Sequence, residues 1–151
     1  MIYLDNSATT RPFDSAIEAM AACMRETYFN PSSLYAPAMR AGEILAEARR
    51  EILSAVGGRG QVFFTSGGTE ADNLAILGAQ RALRGRSGNF LTTKVEHPAV
   101  LETMAEVERL GCRVTYADVD AQGVVDVDLF YDTYLESALN SVRYVDIYLL
   151  D

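Results

Sequence analysis

The fold depends on the stretch Phe64-Thr65-Ser66-Gly67-Gly68-Thr69-Glu70-Ala71-Asp72-Asn73, which lies between an apolar, β-prone run at 61–65 and a helix-forming run at 71–83. Paired glycines between hydroxyl residues make a turn whose backbone N–H groups converge at the helix N-terminus. That end of a helix carries partial positive charge, so the turn suits an anion such as a phosphate. Thr69 and Asp72 also have the spacing of a capping box, with Asp in place of Glu or Gln. The turn by itself leaves both interpretations open.

Length and composition describe one ordinary globular domain. The 151 residues are 49% hydrophobic and 23% charged, which is enough for one α/β core and short for two. The formal net charge of −8 argues against a nucleic-acid partner, which needs clustered Lys and Arg. No leader segment and no apolar run of membrane-spanning length is visible. Two cysteines, Cys23 and Cys112, are typical of a reducing compartment, so we predict a cytoplasmic protein with no membrane partner.

Hydrophobic periodicity predicts alternating helices and strands. We expect strands at 2–4, 61–65, 89–93, 113–117 and 142–150, and helices at 15–28, 38–56, 70–84, 98–110 and 129–139. Ser15 and Glu18 fit a capping box at the start of the first helix, and one face of this helix holds Ile17, Met20, Ala21 and Met24. Short connections between strands and helices favour a parallel sheet with helical crossovers. The predicted fold class is α/β, with a parallel or mixed sheet flanked by helices.

A second motif, Glu96-His97-Pro98, follows the predicted strand 89–93 and contains the only histidine of the chain. Both motifs therefore follow parallel strands, at the sheet edge where open α/β folds bind ligands. By itself His97 fits a surface histidine before a helix that begins at Pro98. Beside a phosphate turn it fits a ring-stacking or proton-handling group. Neither G-x-x-x-x-G-K-[ST] nor G-x-G-x-x-G occurs, which excludes the ordinary P-loop and dinucleotide sites.

Four segments in register resemble the cysteine desulfurases: Leu4–Thr10, Asn30–Ser33, Phe64–Asn73 and Thr92–Leu101. These are class V aminotransferase-like pyridoxal-phosphate enzymes of fold type I, transferases that take sulfur from L-cysteine for iron–sulfur cluster assembly and leave L-alanine and a persulfide. The resemblance runs to about residue 128 and implies a truncated, partial PLP-transferase-like fold. It assigns 1–14 to the small domain, 15–128 to the N-terminal part of the large cofactor-binding domain, and 129–151 to a divergent tail. It also implies a homodimer for the full-length family and a sulfur-acceptor scaffold protein as partner.

The resemblance also gives roles to individual residues. Gly68 and Thr69 match the pair that binds the cofactor phosphate through backbone N–H groups and the threonine hydroxyl. His97 matches the catalytic histidine that stacks on the pyridine ring and exchanges protons with the substrate. Asn6 lies in the segment that covers the substrate side. No residue is implied as a metal ligand.

The family's other catalytic groups have no match in this sequence. They are the Schiff-base lysine of a Ser-x-His-Lys segment, the aspartate that pairs with the pyridine nitrogen, and the loop cysteine that receives the persulfide. Lys94 is the only lysine and lies in a different motif. We therefore interpret the chain as the N-terminal part of a cysteine desulfurase, inactive by itself, and expect it to associate with other chains through the apolar run 142–150. The alternatives are a non-catalytic module that binds the cofactor or a partner, and a fragment of a selenocysteine lyase or a related pyridoxal-phosphate lyase.

Overall fold

The computed structural model describes residues 2–6, 8–86 and 88–125. Its elements, in chain order, are α1 (Asp14–Glu26), α2 (Ala36–Ala55), α3 (Gly68–Ala82), β1 (Asn89–Thr93), α4 (Pro98–Arg109) and β2 (Arg113–Ala117). The helix predicted at 129–139 and the strand predicted at 142–150 lie outside the described residues. The chain divides into two compact units, Met1–Phe63 and Phe64–Asp151.

The second unit contains a two-stranded parallel sheet. β1 pairs with β2 in a register that places Asn89 opposite Arg113 and Thr93 opposite Ala117. The Lys94 N–H donates to the Ala117 carbonyl oxygen at 3.1 Å, which continues the pairing one residue further. α4 connects the two strands, as parallel pairing requires a crossover. The α/β class and the parallel sheet predicted from the sequence are confirmed.

One apolar core holds this unit together. Ile76 of α3 and Val107 of α4 are the largest fully buried side chains in the described part of the chain. Four further residues complete the cluster, Val100, Met104, Cys112 and Val114. The α4 members recur at the spacing that places side chains on one helix face, which is why this helix packs against both α3 and the sheet.

A glycine follows the last turn of α4 and redirects the chain into β2. Gly111 has φ 90°, in the left-handed region that side chains with a Cβ rarely adopt. The Cys112 N–H then donates to the Val107 carbonyl oxygen at 3.2 Å, which satisfies one of the carbonyl groups at the end of the helix that have no donor within it. The short αβ connection therefore follows from the sequence Leu110-Gly111-Cys112.

Two predicted strands are wrong. Residues 2–4 and 61–65 belong to no strand of the described sheet, whose only members are β1 and β2. The run 61–65 has the apolar, aromatic composition that strands favour, yet Phe63 is 69% exposed. A strand requires a neighbouring strand with which to form hydrogen bonds, and composition alone shows only that a segment is suited to a sheet.

The first unit differs from the prediction at the start and on the face of α1. The helix begins at Asp14 with Phe13 as its N-cap and no side-chain cap bond, so the capping box predicted at Ser15 and Glu18 is wrong. No residue of α1 is buried, and Ile17, Met20 and Met24 are all exposed. The periodicity correctly predicts a helix with an apolar stripe, but the described part of this unit provides no cover for it.

Truncation of the α3 core residue is expected to destabilise the second unit. Ile76→Ala removes a side chain that is only 2% exposed, and the resulting cavity should lower the free energy of unfolding by about 2–5 kcal/mol. Leu74→Ala is the matched control, because Leu74 lies on the same helix and is 55% exposed. Its cost should be about 0.5 kcal/mol or less. Urea unfolding followed by circular dichroism measures both, and equal losses would contradict the core described above.

Candidate functional site

The start of α3 forms a turn rich in unsatisfied backbone donors. Gly67 is the N-cap, and the first helical bond runs from the Ala71 N–H to the Gly67 carbonyl oxygen at 3.1 Å. The N–H groups of Gly68, Thr69 and Glu70 therefore have no acceptor within the helix. A Cβ added at Gly67 or Gly68 would meet no described atom within 4 Å. Donors and open space thus lie together at the positive end of a helix.

The Glu70 side chain closes this turn from within. Its Oε2 accepts from the Ser66 N–H at 2.7 Å and from the Ser66 hydroxyl at 2.6 Å. On the other side of the turn, the Thr65 hydroxyl donates to the Gly67 carbonyl oxygen at 3.1 Å. The capping box predicted for Thr69 and Asp72 is wrong, because the helix begins one residue before Thr69. The glutamate on the first turn instead reaches back to Ser66, one residue before the N-cap, whereas the glutamate of a capping box bonds the N–H of the N-cap itself.

These two bonds also affect the titration of Glu70. The hydrogen bonds from the Ser66 hydroxyl and N–H lower the pKa of Glu70 below its usual value of 4.5. A depressed carboxyl pKa contributes stability above the unfolded value, and that contribution is lost as the pH falls through the folded value. The contact is therefore formed at neutral pH and weakens only in acid. Because the carboxylate is fully exposed, its effect on stability is small.

His97 occupies the corresponding position at the start of α4. It is the N-cap, its Nδ1 accepts from the Ala99 N–H at 3.1 Å, and Pro98 is the first helical residue. The predicted helix start is thereby confirmed. An acceptor Nδ1 carries no proton, so this hydrogen bond assigns the proton of the neutral ring to Nε2. The exposed ring is held by the helix that it caps.

An open groove of about 390 Å³ contains residues from both helix starts. It is lined by Thr69, Asn73, His97, Pro98, Ala99, Glu102, Thr103 and Glu106. The structure thus brings Thr69 and His97 to one groove, while Gly68 lies next to Thr69 outside the lining. Asn6 belongs to the other unit, and its predicted role on the substrate side stays a prediction.

Several lining residues were not predicted from the sequence. Asn73 follows Thr69 by one helical turn, and its Nδ2 donates to the Thr69 carbonyl oxygen at 2.8 Å. Thr103 is buried and donates to the Ala99 carbonyl oxygen at 2.6 Å. Helical spacing from Thr69 to Asn73 could have identified the first of these. No sequence pattern points to Thr103, because its position depends on how α3 packs on α4.

Lys94 has a different place in the fold. Its Nζ lies 2.6 Å from the Asp118 Oδ1, and the pair links the segments that follow β1 and β2. It is not among the residues that line the groove. Lys94 is thus an exposed residue that pairs with a carboxylate outside the groove.

Two other kinds of site are absent from the described ranges. No group of three or more His, Cys, Asp and Glu side chains there is arranged to hold a metal ion. Among the same residues, no helix combines the length and the apolar character needed to cross a bilayer.

The donor set at α3 fits the phosphate end of a cofactor. It offers the Gly68 and Thr69 N–H groups, the Thr69 hydroxyl and an open approach over the glycines. A helix N-terminus with such donors is a common phosphate site. The His97 ring, in the same groove, is a flat group that an aromatic ligand could contact. The described residues therefore fit the phosphate of an aromatic ligand at the start of α3 and the ring of that ligand beside His97.

Comparisons with known proteins identify the family of the chain. The model of the aminotransferase class-V family matches residues 2–147. The chain is 40% identical over 146 residues to the cysteine desulfurase IscS of Dictyoglomus turgidum, covering 93% of this chain and 37% of the relative. It is 41% identical over 128 residues to the cysteine desulfurase IscS of Methanosarcina thermophila, covering 84% and 32%. The chain thus spans about a third of the length of these relatives.

Solved structures give the same result. A NifS-like protein aligns with a TM-score of 0.77 and 36% identity, covering 84% of this chain and 35% of that one. A structure of SspA in complex with cysteine aligns with a TM-score of 0.67 and 30% identity, covering 76% and 33%. The resemblance to the N-terminal part of the cysteine desulfurases and the partial PLP-transferase-like fold are confirmed.

The capping role of His97 can be separated from any role of its ring. His97→Ala removes the acceptor for the Ala99 N–H and should lower the free energy of unfolding by about 1 kcal/mol. His97→Asn supplies another good N-cap acceptor and should retain most of that stability. Urea unfolding of the two variants beside the unmodified chain checks this. Equal destabilisation by both substitutions would show that the cap bond is not what the histidine contributes.

Proposed function

The chain belongs to the aminotransferase class-V family, and we propose that it is the part of a cysteine desulfurase that holds the phosphate of pyridoxal phosphate. One observation carries the proposal. Two helix starts, one with free N–H donors at Gly68 and Thr69 and one capped by His97, contribute residues to a single groove. A phosphate on a flat ring is a ligand that such a pair of groups can bind at both ends.

In this proposal the start of α3 binds the phosphate. The N–H groups of Gly68 and Thr69 and the Thr69 hydroxyl donate to its oxygens, and the partial positive charge of the helix end adds to the attraction. Asn73 holds the Thr69 carbonyl oxygen at 2.8 Å and so keeps the first turn of the helix formed. These are contacts of binding and orientation.

His97 is proposed to contact the cofactor ring and to act as the proton-handling group. Pyridoxal phosphate, when bound, supplies an electron sink for charge that develops on the substrate. His97 donates or accepts the proton at Nε2, because its Nδ1 is engaged by the Ala99 N–H. The same bond limits rotation of the ring and so orients it.

The wider activity is proposed from the relatives. The substrate would be L-cysteine, with Asn6 on the substrate side, and the products alanine and a persulfide for iron–sulfur cluster assembly. Two named relatives are cysteine desulfurases, and one solved neighbour is described in complex with cysteine. A homodimer, a sulfur-acceptor scaffold protein and a cytoplasmic location belong to the same proposal. A selenocysteine lyase or related lyase would share these N-terminal motifs.

A second candidate function is a non-catalytic module that binds pyridoxal phosphate or a partner. It is favoured by one observation, the position of Lys94. The only lysine of the chain is bonded to Asp118 and does not line the groove, so it is not placed to bond to a ligand there. Turnover and binding experiments separate the two candidates.

Cofactor binding should depend on the Thr69 hydroxyl. Thr69→Val keeps the size of the side chain and removes one hydrogen bond to a charged phosphate, which contributes roughly 1.5–3 kcal/mol. The dissociation constant for pyridoxal phosphate, measured from the change in its absorbance, should rise about tenfold or more. His97→Ala should raise it by a smaller factor, because it removes a ring contact and leaves the phosphate donors in place.

The matched control for Thr69→Val is Thr115→Val, a substitution within β2 and away from the groove lining. Its dissociation constant should equal that of the unmodified chain. If Thr69→Val binds as tightly as this control, the phosphate does not lie at the start of α3 and the proposal is wrong.

The chain by itself should show no sustained release of sulfide from L-cysteine. Nucleophilic catalysis needs a group in reach of the substrate, and Lys94 is not placed for that role. The assay supplies pyridoxal phosphate and a thiol, and free cofactor without protein gives the background rate. Sustained turnover above this background would exclude the non-catalytic module.

A further inference from the structure

We propose that Glu70 is a positioning residue for the phosphate turn: its carboxylate holds Ser66 so that the donors of Gly68 and Thr69 face the ligand. The inference deepens the function proposed above and rests on it. Glu70 itself does not contact the phosphate in this account. It acts through the backbone conformation of the residues between Ser66 and the first turn of α3.

The two hydrogen bonds from Ser66 to the Glu70 carboxylate restrain the turn, and we call this pair of bonds the clamp. A single oxygen, Oε2, accepts both donors of Ser66, at 2.7 Å and 2.6 Å. These bonds close a ring across Gly67 and Gly68, the most flexible pair of residues in the turn. Hydrogen bonds to a charged acceptor are stronger than those between neutral groups, so the ring is held more firmly than a hydroxyl cap would hold it.

A second bond fixes the other side of Gly67. The Thr65 hydroxyl donates to the Gly67 carbonyl oxygen at 3.1 Å, while the Ala71 N–H donates to the same oxygen from the helix. The peptide that follows Gly67 is therefore oriented from both directions. Its N–H belongs to Gly68, one of the two backbone donors proposed for the phosphate.

The clamp also decides which donors remain for a ligand. Ser66 contributes an N–H and a hydroxyl to the turn, and both are bonded to Glu70. The N–H groups left without an acceptor in the helix are those that follow, at Gly68, Thr69 and Glu70, and the first two are the ones proposed for the phosphate. A turn without the clamp would offer more donors in a less defined arrangement, and ordering them would then reduce the affinity for an anion.

The negative charge of Glu70 acts in the opposite direction, because it repels a phosphate. Its carboxylate is fully exposed, and water and salt screen such a charge strongly. We therefore infer that positioning exceeds repulsion at ordinary ionic strength. The two effects predict different results for neutral variants, which makes them separable.

Glu70→Gln and Glu70→Ala give the test. The amide oxygen of glutamine can accept both Ser66 bonds without the charge, whereas alanine loses bonds and charge together. We expect the dissociation constant for pyridoxal phosphate to rise about fivefold in Glu70→Ala, and to stay equal or fall in Glu70→Gln. Glu47→Ala is the control for net charge, since Glu47 is an exposed residue of α2. Titration with inorganic phosphate repeats the comparison without the ring.

A second measurement reports on the turn without any ligand. Amide hydrogen exchange at Gly67, Gly68 and Thr69 should be faster in Glu70→Ala than in the unmodified chain, with rates restored in Glu70→Gln. Tighter binding in both variants would overturn the inference and leave repulsion as the role of Glu70. Unchanged binding in both would show that the residue has no role.

The binding results also distinguish an error in the proposed function from an error in the role of Glu70. If the unmodified chain binds neither pyridoxal phosphate nor inorganic phosphate, the proposed function is wrong and the positioning role falls with it. If the unmodified chain binds and Thr69→Val weakens binding, but Glu70→Ala does not, the function stands and only the inference about Glu70 is overturned.

Discussion

Packing of α3 against α4 is the interaction on which the candidate site depends. Ile76 and Val107 are buried in a cluster that joins the two helices and the sheet. Because both helices are fixed in that core, residues near their starts line one groove and Thr69 and His97 share it. Neither Thr69 nor His97 belongs to the core cluster, so either side chain can be substituted without removing a core contact.

Much of the second unit could be predicted from the sequence. β1, α4 and β2 are regular, short and separated by clear stop signals, and each forms at the predicted place. His97 before Pro98 correctly predicts a helix start, since both residues act locally. Such features depend on neighbours within a few positions, which a sequence pattern can report.

Features that depend on distant partners were harder to predict. The run 61–65 has the composition of a strand, but a strand also needs a ladder that composition does not provide. Glu70 was missed for a smaller reason. Its bond to Ser66 depends on the helix beginning at Gly68, two residues before the start at 70 that a cap at Thr69 indicated. The groove itself could not be predicted, because it follows from helix packing.

The glycines of the phosphate turn have a consequence for how this chain tolerates change. Gly67 is extended, with φ 166° and ψ 178°, and Gly68 is already helical, so neither conformation requires a glycine. Neither position is crowded by other described atoms. An alanine at Gly68 would even favour the helix. The described fold therefore does not itself require glycine at these two positions, and what the missing side chains leave there is an open approach to the backbone N–H groups at the start of α3.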